Sequence, residues 1–236
     1  MSFYKERIYP HLVSALGNPK PIAEIRKRIV PLAQGDVLEI GVGPGVNFPH
    51  YDSARVKKVY ALEPNLGMLR RADKQRRNTN LEVEFLDLPG ERIPLADMSV
   101  DTVVSTFTLC TIPGVVEAIQ GLRRVLKPGG KFIFFEHGLS PDTAVQSWQK
   151  RTEPLFQWAF EGCHVTRNIP ALSSKPDSRL SRWTRAIWRR SRSAGRIVFG
   201  ESQVSRNTRL YAAWQHRTKA HFIRTSDYFD ASRRLR

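Results

Sequence analysis

The sequence predicts an α/β protein built on a doubly wound, mainly parallel sheet with helices on both faces. Three observations predict it. Between residues 30 and 140, apolar runs of strand length alternate with segments of helical period, the pattern of successive βαβ units. The first of those runs ends in a glycine-rich turn, Gly41-Val42-Gly43-Pro44-Gly45. The fifth, residues 131–137, is apolar enough to be covered on both faces, as parallel sheets require. Right-handed crossovers then stack helices on each side of one Rossmann-like sheet.

Taken in order, two amphipathic helices open the chain over roughly 3–16 and 20–32, broken at Gly17-Asn18-Pro19. Residues 36–40 form the first strand and 56–62 the second, which ends at Glu63-Pro64-Asn65. Leu66, Met68, Leu69 and Ala72 follow at helical spacing. Residues 81–85 alternate as a third strand, and 100–105 make a fourth. A helix over roughly 114–126 carries Val115, Ile119, Leu122 and Val125 and stops at Lys127-Pro128-Gly129-Gly130. That proline cannot continue a helix, and the glycines permit the reversal into the fifth strand.

The chain has 236 residues, enough for one such domain with a sizeable core. No apolar run reaches 18 residues, so no membrane span is predicted. Met1 to Arg7 lacks an apolar core and a cleavage site, so no signal peptide is expected. Cys110 and Cys163 are the only cysteines, which fits a reducing cytoplasm better than a disulfide framework. The net charge of +16 is unevenly spread: residues 1–174 hold 22 basic and 18 acidic side chains, and residues 175–236 hold 16 and 4. The first part, nearly neutral, is the enzyme-like domain; the second is an arginine-rich tail.

The glycine turn distinguishes between cofactors. A dinucleotide fingerprint wants its third glycine at position 46, where this chain has Val46. That glycine lets a helix start close under a pyrophosphate. S-adenosylmethionine has no phosphate, and needs instead backbone room for its methionine end and an acidic residue ahead of the first glycine. Glu39 meets the second need, engaging either the loop or the ligand's ammonium. Glu63 lies 18 residues past Gly45, at the end of the second strand, where a carboxylate accepts hydrogen bonds from both ribose hydroxyls. The expected S-adenosylmethionine contacts are Glu39, Gly41, Val42, Gly43, Gly45, Asn47, Glu63, Pro64, Met68 and Ser105.

Residues 36–137 resemble the class I S-adenosylmethionine-dependent methyltransferases, particularly the group that includes ubiquinone and menaquinone C-methyltransferases. The matching pieces are Val37-Leu38-Glu39-Ile40-Gly41-Val42-Gly43-Pro44-Gly45, Leu62-Glu63-Pro64-Asn65, Ile93-Pro94-Leu95-Ala96-Asp97 and Arg124-Val125-Leu126-Lys127-Pro128-Gly129-Gly130. The resemblance implies that Leu88-Pro89-Gly90-Glu91 wraps the adenine, adding Gly90 and Glu91 to the site. The family's usual aspartate is replaced here by Pro89, and Asp87 is expected to stand in for it. A narrower likeness, carried by Leu109-Cys110-Thr111-Ile112, Phe135-Glu136-His137 and Phe160-Glu161-Gly162-Cys163-His164-Val165-Thr166-Arg167, is to the methyltransferase-like 7 type. It implies methyl transfer to a small or lipophilic acceptor, thiol or hydrosulfide ahead of phospholipid amine or quinone ring. The animal members' N-terminal membrane anchor has no counterpart here, so lipid attachment is not carried over.

On the acceptor side, His137 ends the fifth strand, where doubly wound sheets bind ligands, and is the candidate catalytic base. Cys110 reads chiefly as a buried apolar residue. Cys163 and Arg167 read either as a lid over the acceptor or as ordinary packing. Trp148, Phe156, Trp158 and Phe160 read as helix-to-sheet packing ahead of pocket lining. No metal site is assigned.

The tail holds fourteen arginines against two lysines and shows no strand-like alternation. Codons permitted for Leu180 to Ser202 can be chosen so that a frame displaced by two nucleotides resembles the ending of this methyltransferase group. Residues 175–236 therefore read as a frame-shifted segment. The expectation is disrupted C-terminal strands, leaving the fifth strand as an exposed apolar edge. The other readings of the tail are an inactive remnant bearing a nucleic-acid-binding extension, or an amphipathic helix over 179–192 lying on anionic lipid. A nucleic-acid partner is not expected, peripheral membrane contact is left open, and no oligomeric state is specified.

Overall fold

A computed structural model describes residues 4–16, 18–140, 142–169, 172, 186–188 and 196–203. A π-helical turn, Tyr4–Ile8, leads into α1 (Tyr9–Leu16), and α2 (Lys20–Ile29) follows. The sheet is then built in the order β1 (Gly35–Ile40), β2 (Val56–Leu62), α3 (Leu66–Arg76), β3 (Val83–Leu86), β4 (Val100–Thr106), α4 (Val115–Val125) and β5 (Leu126–Gly138). After α5 (Thr143–Ala159) come β6 (Ala186–Trp188) and β7 (Arg196–Gln203). Across the sheet the strands run β3-β2-β1-β4-β5-β7-β6. The first five are parallel; β7 pairs antiparallel with β5, and β6 with β7.

Alternation along each strand divides the core into two layers. Leu38, Ile40, Val103, Phe132 and Phe134 face α4, whose Ala118, Ile119 and Leu122 cover them. Val37, Val59, Ala61, Val104 and Ile133 face the other way, onto Ala72 of α3 and Val30. Each such Leu, Val or Phe contributes roughly 1.5–3 kcal/mol by leaving water. Polar residues at the helix starts set where α3 and α5 begin: Asn65 accepts from the Met68 N–H at 3.2 Å and Asp142 from the Ala144 N–H at 3.0 Å. The strand order reverses between β1 and β4, so their carboxyl ends open a crevice.

Four sequence expectations change. The third strand starts at Val83 and runs to Leu86, so Leu81 is a buried residue outside it. The fifth strand begins at Leu126, with a register break before Lys131 and Gly129 at φ 82°; the Pro-Gly-Gly segment is an irregular stretch of strand. The expected disruption of the C-terminal strands is not what the structure has. β7 pairs with β5 from Lys131↔Gln203 to Gly138↔Arg196, and β6 extends the sheet. Strand pairing uses backbone groups that any sequence supplies, and Ile197-Val198-Phe199 is a run of good strand formers inside the arginine-rich segment. Phe132, Ile133, Phe134 and Phe135 are accordingly at most 2% exposed, with no bare edge at β5. Ala186–Trp188 is a strand, against the alternative reading of 179–192 as a lipid-bound helix. The other residues of 179–192, and the tail beyond 203, lie outside the described residues. Among the described residues no helix is long and apolar enough to cross a membrane.

Candidate active site

The loop after β1 is shaped by three glycines at positive φ, Gly41 at 66°, Gly43 at 54° and Gly45 at 80°. A side chain on Gly41 would run into Thr108, so β1 and the loop after β4 approach there with no atoms to spare. A side chain on Gly43 would meet no protein atom within 4 Å; that face of the loop borders open cleft. The Gly43 N–H donates to Glu63 Oε2 at 3.0 Å and the Asn65 N–H to Oε1 at 3.0 Å. Glu63 thus ties the β1 loop to the start of α3 and keeps lone pairs on both oxygens for a ligand. Burial pushes its carboxyl up to about 7, against the lowering effect of those two N–H groups.

Beneath the loop lies a buried polar network. Glu39 is 1% exposed and accepts from Asn47 Nδ2 and from the Tyr51 hydroxyl, each at 2.7 Å. Arg26, from α2, donates to Asn47 Oδ1 at 2.7 Å and to Thr106 Oγ1 at 2.8 Å. Burial raises the Glu39 carboxyl to about 7 and lowers the Arg26 guanidinium to about 10. Of its two expected roles, Glu39 therefore takes the first: it braces the loop and does not reach the cleft.

The cleft itself, about 460 Å³, runs along the carboxyl ends of β1, β4 and β5. From the expected cofactor set it brings together Gly41, Val42, Gly43, Glu63, Pro64, Met68, Gly90 and Glu91, with His137 at the other end. Four members of that set sit off its walls besides Glu39. Gly45 packs against Ala72 and Phe48, and Asn47 is fully buried in the network. The Ser105 hydroxyl donates to Glu136 at 2.6 Å, and Asp87 is exposed. Asn47 and Ser105 spend their polar side chains on buried neighbours, Glu39, Arg26 and Thr106 for the first and Glu136 for the second.

At the far end, His137 Nδ1 stands 3.3 Å from Cys163 Sγ and 3.8 Å from Cys110 Sγ, and the two sulfurs are 3.5 Å apart. The hydrogen bond between the sulfurs eases ionisation of Cys163, helped by His137, and holds the proton on Cys110. Phe107, at φ 56°, lays its ring 4.7 Å from the His137 ring and 4.6 Å from Phe135. That backbone conformation costs roughly 1–2 kcal/mol in a residue with a side chain. It is held by the Phe107 N–H donating to the Phe135 carbonyl at 2.7 Å. Buried Glu136 accepts from the N–H groups of Thr108, Leu109 and Cys110 at 3.0, 3.1 and 3.3 Å. Arg167 donates to the Leu109 and Ile112 carbonyls at 2.6 and 2.7 Å, so it ties down the loop that carries Cys110. Phe156 and Phe160 line the cleft; Trp148 and Trp158 do not, and are 48% and 79% exposed.

Sequence reasoning missed Arg26, Glu136, Phe107 and Tyr9. Arg26 had a signal: it lies four residues after Ile22 and three before Ile29, on the apolar stripe of α2. Glu136 had one too, as an acid inside an otherwise apolar buried strand. Phe107 and the cleft-lining Tyr9 had none, since each matters through tertiary position alone.

Residues 38–134 match the family model described as "Methyltransferase domain". Among characterised proteins, the chain is 37% identical over 135 residues to the rat thiol S-methyltransferase TMT1B, covering 56% of this chain and 54% of that one. It is 34% identical over 141 residues to human thiol S-methyltransferase TMT1A, covering 58% and 57%. The chain thus spans about half the length of these relatives. Among solved structures, the N-methyltransferase NodS of Bradyrhizobium japonicum, in complex with S-adenosyl-L-homocysteine, superposes with a TM-score of 0.59 at 15% identity. That match covers 85% of this chain and 98% of NodS, a likeness of fold.

Proposed function

We propose that this chain, whose residues 38–134 are a methyltransferase domain, uses S-adenosylmethionine to methylate a small or lipophilic thiol or hydrosulfide. The observation that carries the reading is one continuous cleft. At one end it has a glycine loop tied to the Glu63 carboxylate, and at the other an apolar chamber holding His137 and two cysteine sulfurs.

The residues fit the cofactor. Gly43 leaves open the space beside its backbone, Glu63 keeps acceptor capacity on both oxygens, and Gly90 and Glu91 line the wall where an adenine would lie. When bound, S-adenosylmethionine supplies an electrophilic methyl group on a sulfonium. The protein's own part is alignment and exclusion of water, with Phe107, Phe156 and Phe160 forming the apolar end. A thiol ionises readily near neutral pH, so it needs little base, and His137 is placed to take its proton. The 37%-identical thiol S-methyltransferase supports a sulfur acceptor. Phospholipid amine and quinone ring are not favoured, since a less acidic acceptor needs more help from a base than a thiol does, and the relatives that match at 34–37% identity over 135–141 residues are thiol S-methyltransferases.

The test is turnover with hydrosulfide, an alkyl thiol, phosphatidylethanolamine vesicles and a demethylated quinone as competing acceptors. Methylation at sulfur, giving methanethiol from hydrosulfide or a methyl thioether from the alkyl thiol, is expected to exceed the other products by at least ~10-fold, about 1.4 kcal/mol. Turnover of the amine or quinone without either sulfur product would overturn the acceptor class.

Glu63 also predicts a pH dependence. Ribose hydroxyls donate to a carboxylate, so ligand binding below about pH 7 must expel the proton that burial holds on Glu63. Affinity for S-adenosylhomocysteine, measured by calorimetry in buffers of differing ionisation heat, is expected to fall up to about tenfold per unit below that pH. It should level off above it. The sign for stability is opposite: folded Glu39 and Glu63 hold protons that the unfolded chain releases above about 4.5, so the ligand-free protein loses stability as pH rises from about 4.5 to about 7.

A further inference from the structure

We propose that Cys110, Cys163 and His137 form a three-ligand site for a thiophilic divalent metal, zinc by chemistry, whose fourth position faces the cleft and takes the thiol acceptor as thiolate. This rests on the methyl-transfer reading and deepens it, by naming how the acceptor is held.

The argument begins with geometry. Metal–sulfur bonds of about 2.3 Å and metal–nitrogen bonds of about 2.0–2.1 Å, at tetrahedral angles, put two sulfurs about 3.8 Å apart and sulfur and nitrogen about 3.6 Å apart. Here the sulfurs are 3.5 Å apart, and Nδ1 is 3.3 and 3.8 Å from them. Three edges of a coordination tetrahedron are in place to within a few tenths of an ångström. The three atoms come from separate elements: the loop after β4, the end of β5, and the turn after α5. Each is fixed from outside. Glu136 holds the Cys110 N–H, the Cys163 N–H donates to the Phe160 carbonyl at 3.1 Å, and Phe107 packs on His137. Sites that keep only three protein ligands are the catalytic kind, with an open position for water or substrate. All three residues line the cleft, so that position opens onto the acceptor chamber.

Charge follows the same line. Two buried thiolates would be costly alone, and a divalent cation neutralises both. An incoming thiol then coordinates through sulfur and releases its proton to solvent, leaving a net negative thiolate in an apolar chamber. His137, with Nδ1 committed to the metal, acts as a ligand, and acidification of the thiol passes from the imidazole to the cation. The competing description is a hydrogen-bonded cluster of two thiols and an imidazole, and the experiment separates the two.

The full chain, reduced and handled without oxygen, is titrated with cobalt(II) alone and followed by absorption, with S-adenosylhomocysteine calorimetry on the same sample. The expected result is one equivalent of cobalt showing thiolate charge-transfer bands and intense tetrahedral d–d bands, displaced by zinc. The chain has two cysteines, so those bands can report on no other sulfurs. Cys110→Ser and Cys163→Ser should each weaken binding by at least ~10-fold, the lower end of what even outer-shell changes cost a metal site. A thiol added to the cobalt form should shift the d–d bands. Protein that binds S-adenosylhomocysteine but shows no charge-transfer band, or keeps it in both serine variants, overturns the metal site and leaves the methyltransferase reading standing. Cobalt bands without S-adenosylhomocysteine binding would uphold the site and count against that reading.

Discussion

Arg26→Met is expected to destabilise the protein by about 3–5 kcal/mol, the usual cost of removing one partner from a buried charged network. Arg26 is 3% exposed and supplies hydrogens to Asn47 and Thr106, while Glu39 sits on the far side of Asn47. Without the guanidinium, Glu39 is a buried acid that has lost its positive neighbour, Asn47 Oδ1 loses its donor, and Thr106 Oγ1 keeps only the one from Asn47 Nδ2. Chemical denaturation followed by far-UV circular dichroism measures the loss. The double variant Arg26→Met, Glu39→Gln should recover part of it, since the amide needs no counter-charge. A change within ~0.5 kcal/mol would mean that Arg26 is solvated like an ordinary surface residue.

Glu136→Ala should be comparably severe, through a different route. One carboxylate accepts from the Ser105 hydroxyl and from three successive N–H groups of the loop after β4. Leaving buried donors unpaired costs about 1–3 kcal/mol each, so a loss of at least ~3 kcal/mol is expected. The loop carrying Phe107 and Cys110 should loosen with it. Glu136→Gln keeps an acceptor but turns an NH2 toward at least one donor, and should fall between the wild type and alanine. Hydrogen exchange localises the effect: protection should drop in residues 107–111 well before it drops in β1. Uniform loss across the sheet would show that Glu136 acts on global stability alone.

These two residues also mark the limit of what the sequence reveals. The sheet was legible because its strands announce themselves locally, by short apolar runs in β1 and β2, by alternation in β3 and by the unbroken apolar run of β5. The glycine loop was legible because Gly41 and Gly43 shape it through backbone conformation that spacing encodes, and the position of Glu63 because it ends the next apolar run. Glu39 was read as engaging either the loop or a ligand's ammonium, because it stands just ahead of the first glycine. Its side chain turns under the loop, toward Tyr51 and Asn47, a choice made by residues 8 and 12 positions later. The sulfur and imidazole chamber gathers Cys110, His137 and Cys163 from segments 26 to 53 residues apart, and no local pattern records such a meeting. The last strands were misjudged for the opposite reason. Arginine-rich composition hid Ile197-Val198-Phe199, whose pairing with β5 needs only backbone groups.

The central claim is that Glu63 and the glycine loop bind S-adenosylmethionine, and calorimetric titration with S-adenosylhomocysteine tests it most directly. The wild type should bind with a micromolar dissociation constant, and a folded Glu63→Ala variant should bind at least ~10-fold more weakly, about 1.4 kcal/mol. Equal affinity in the two proteins, or no binding by a wild type that unfolds cooperatively, would contradict it.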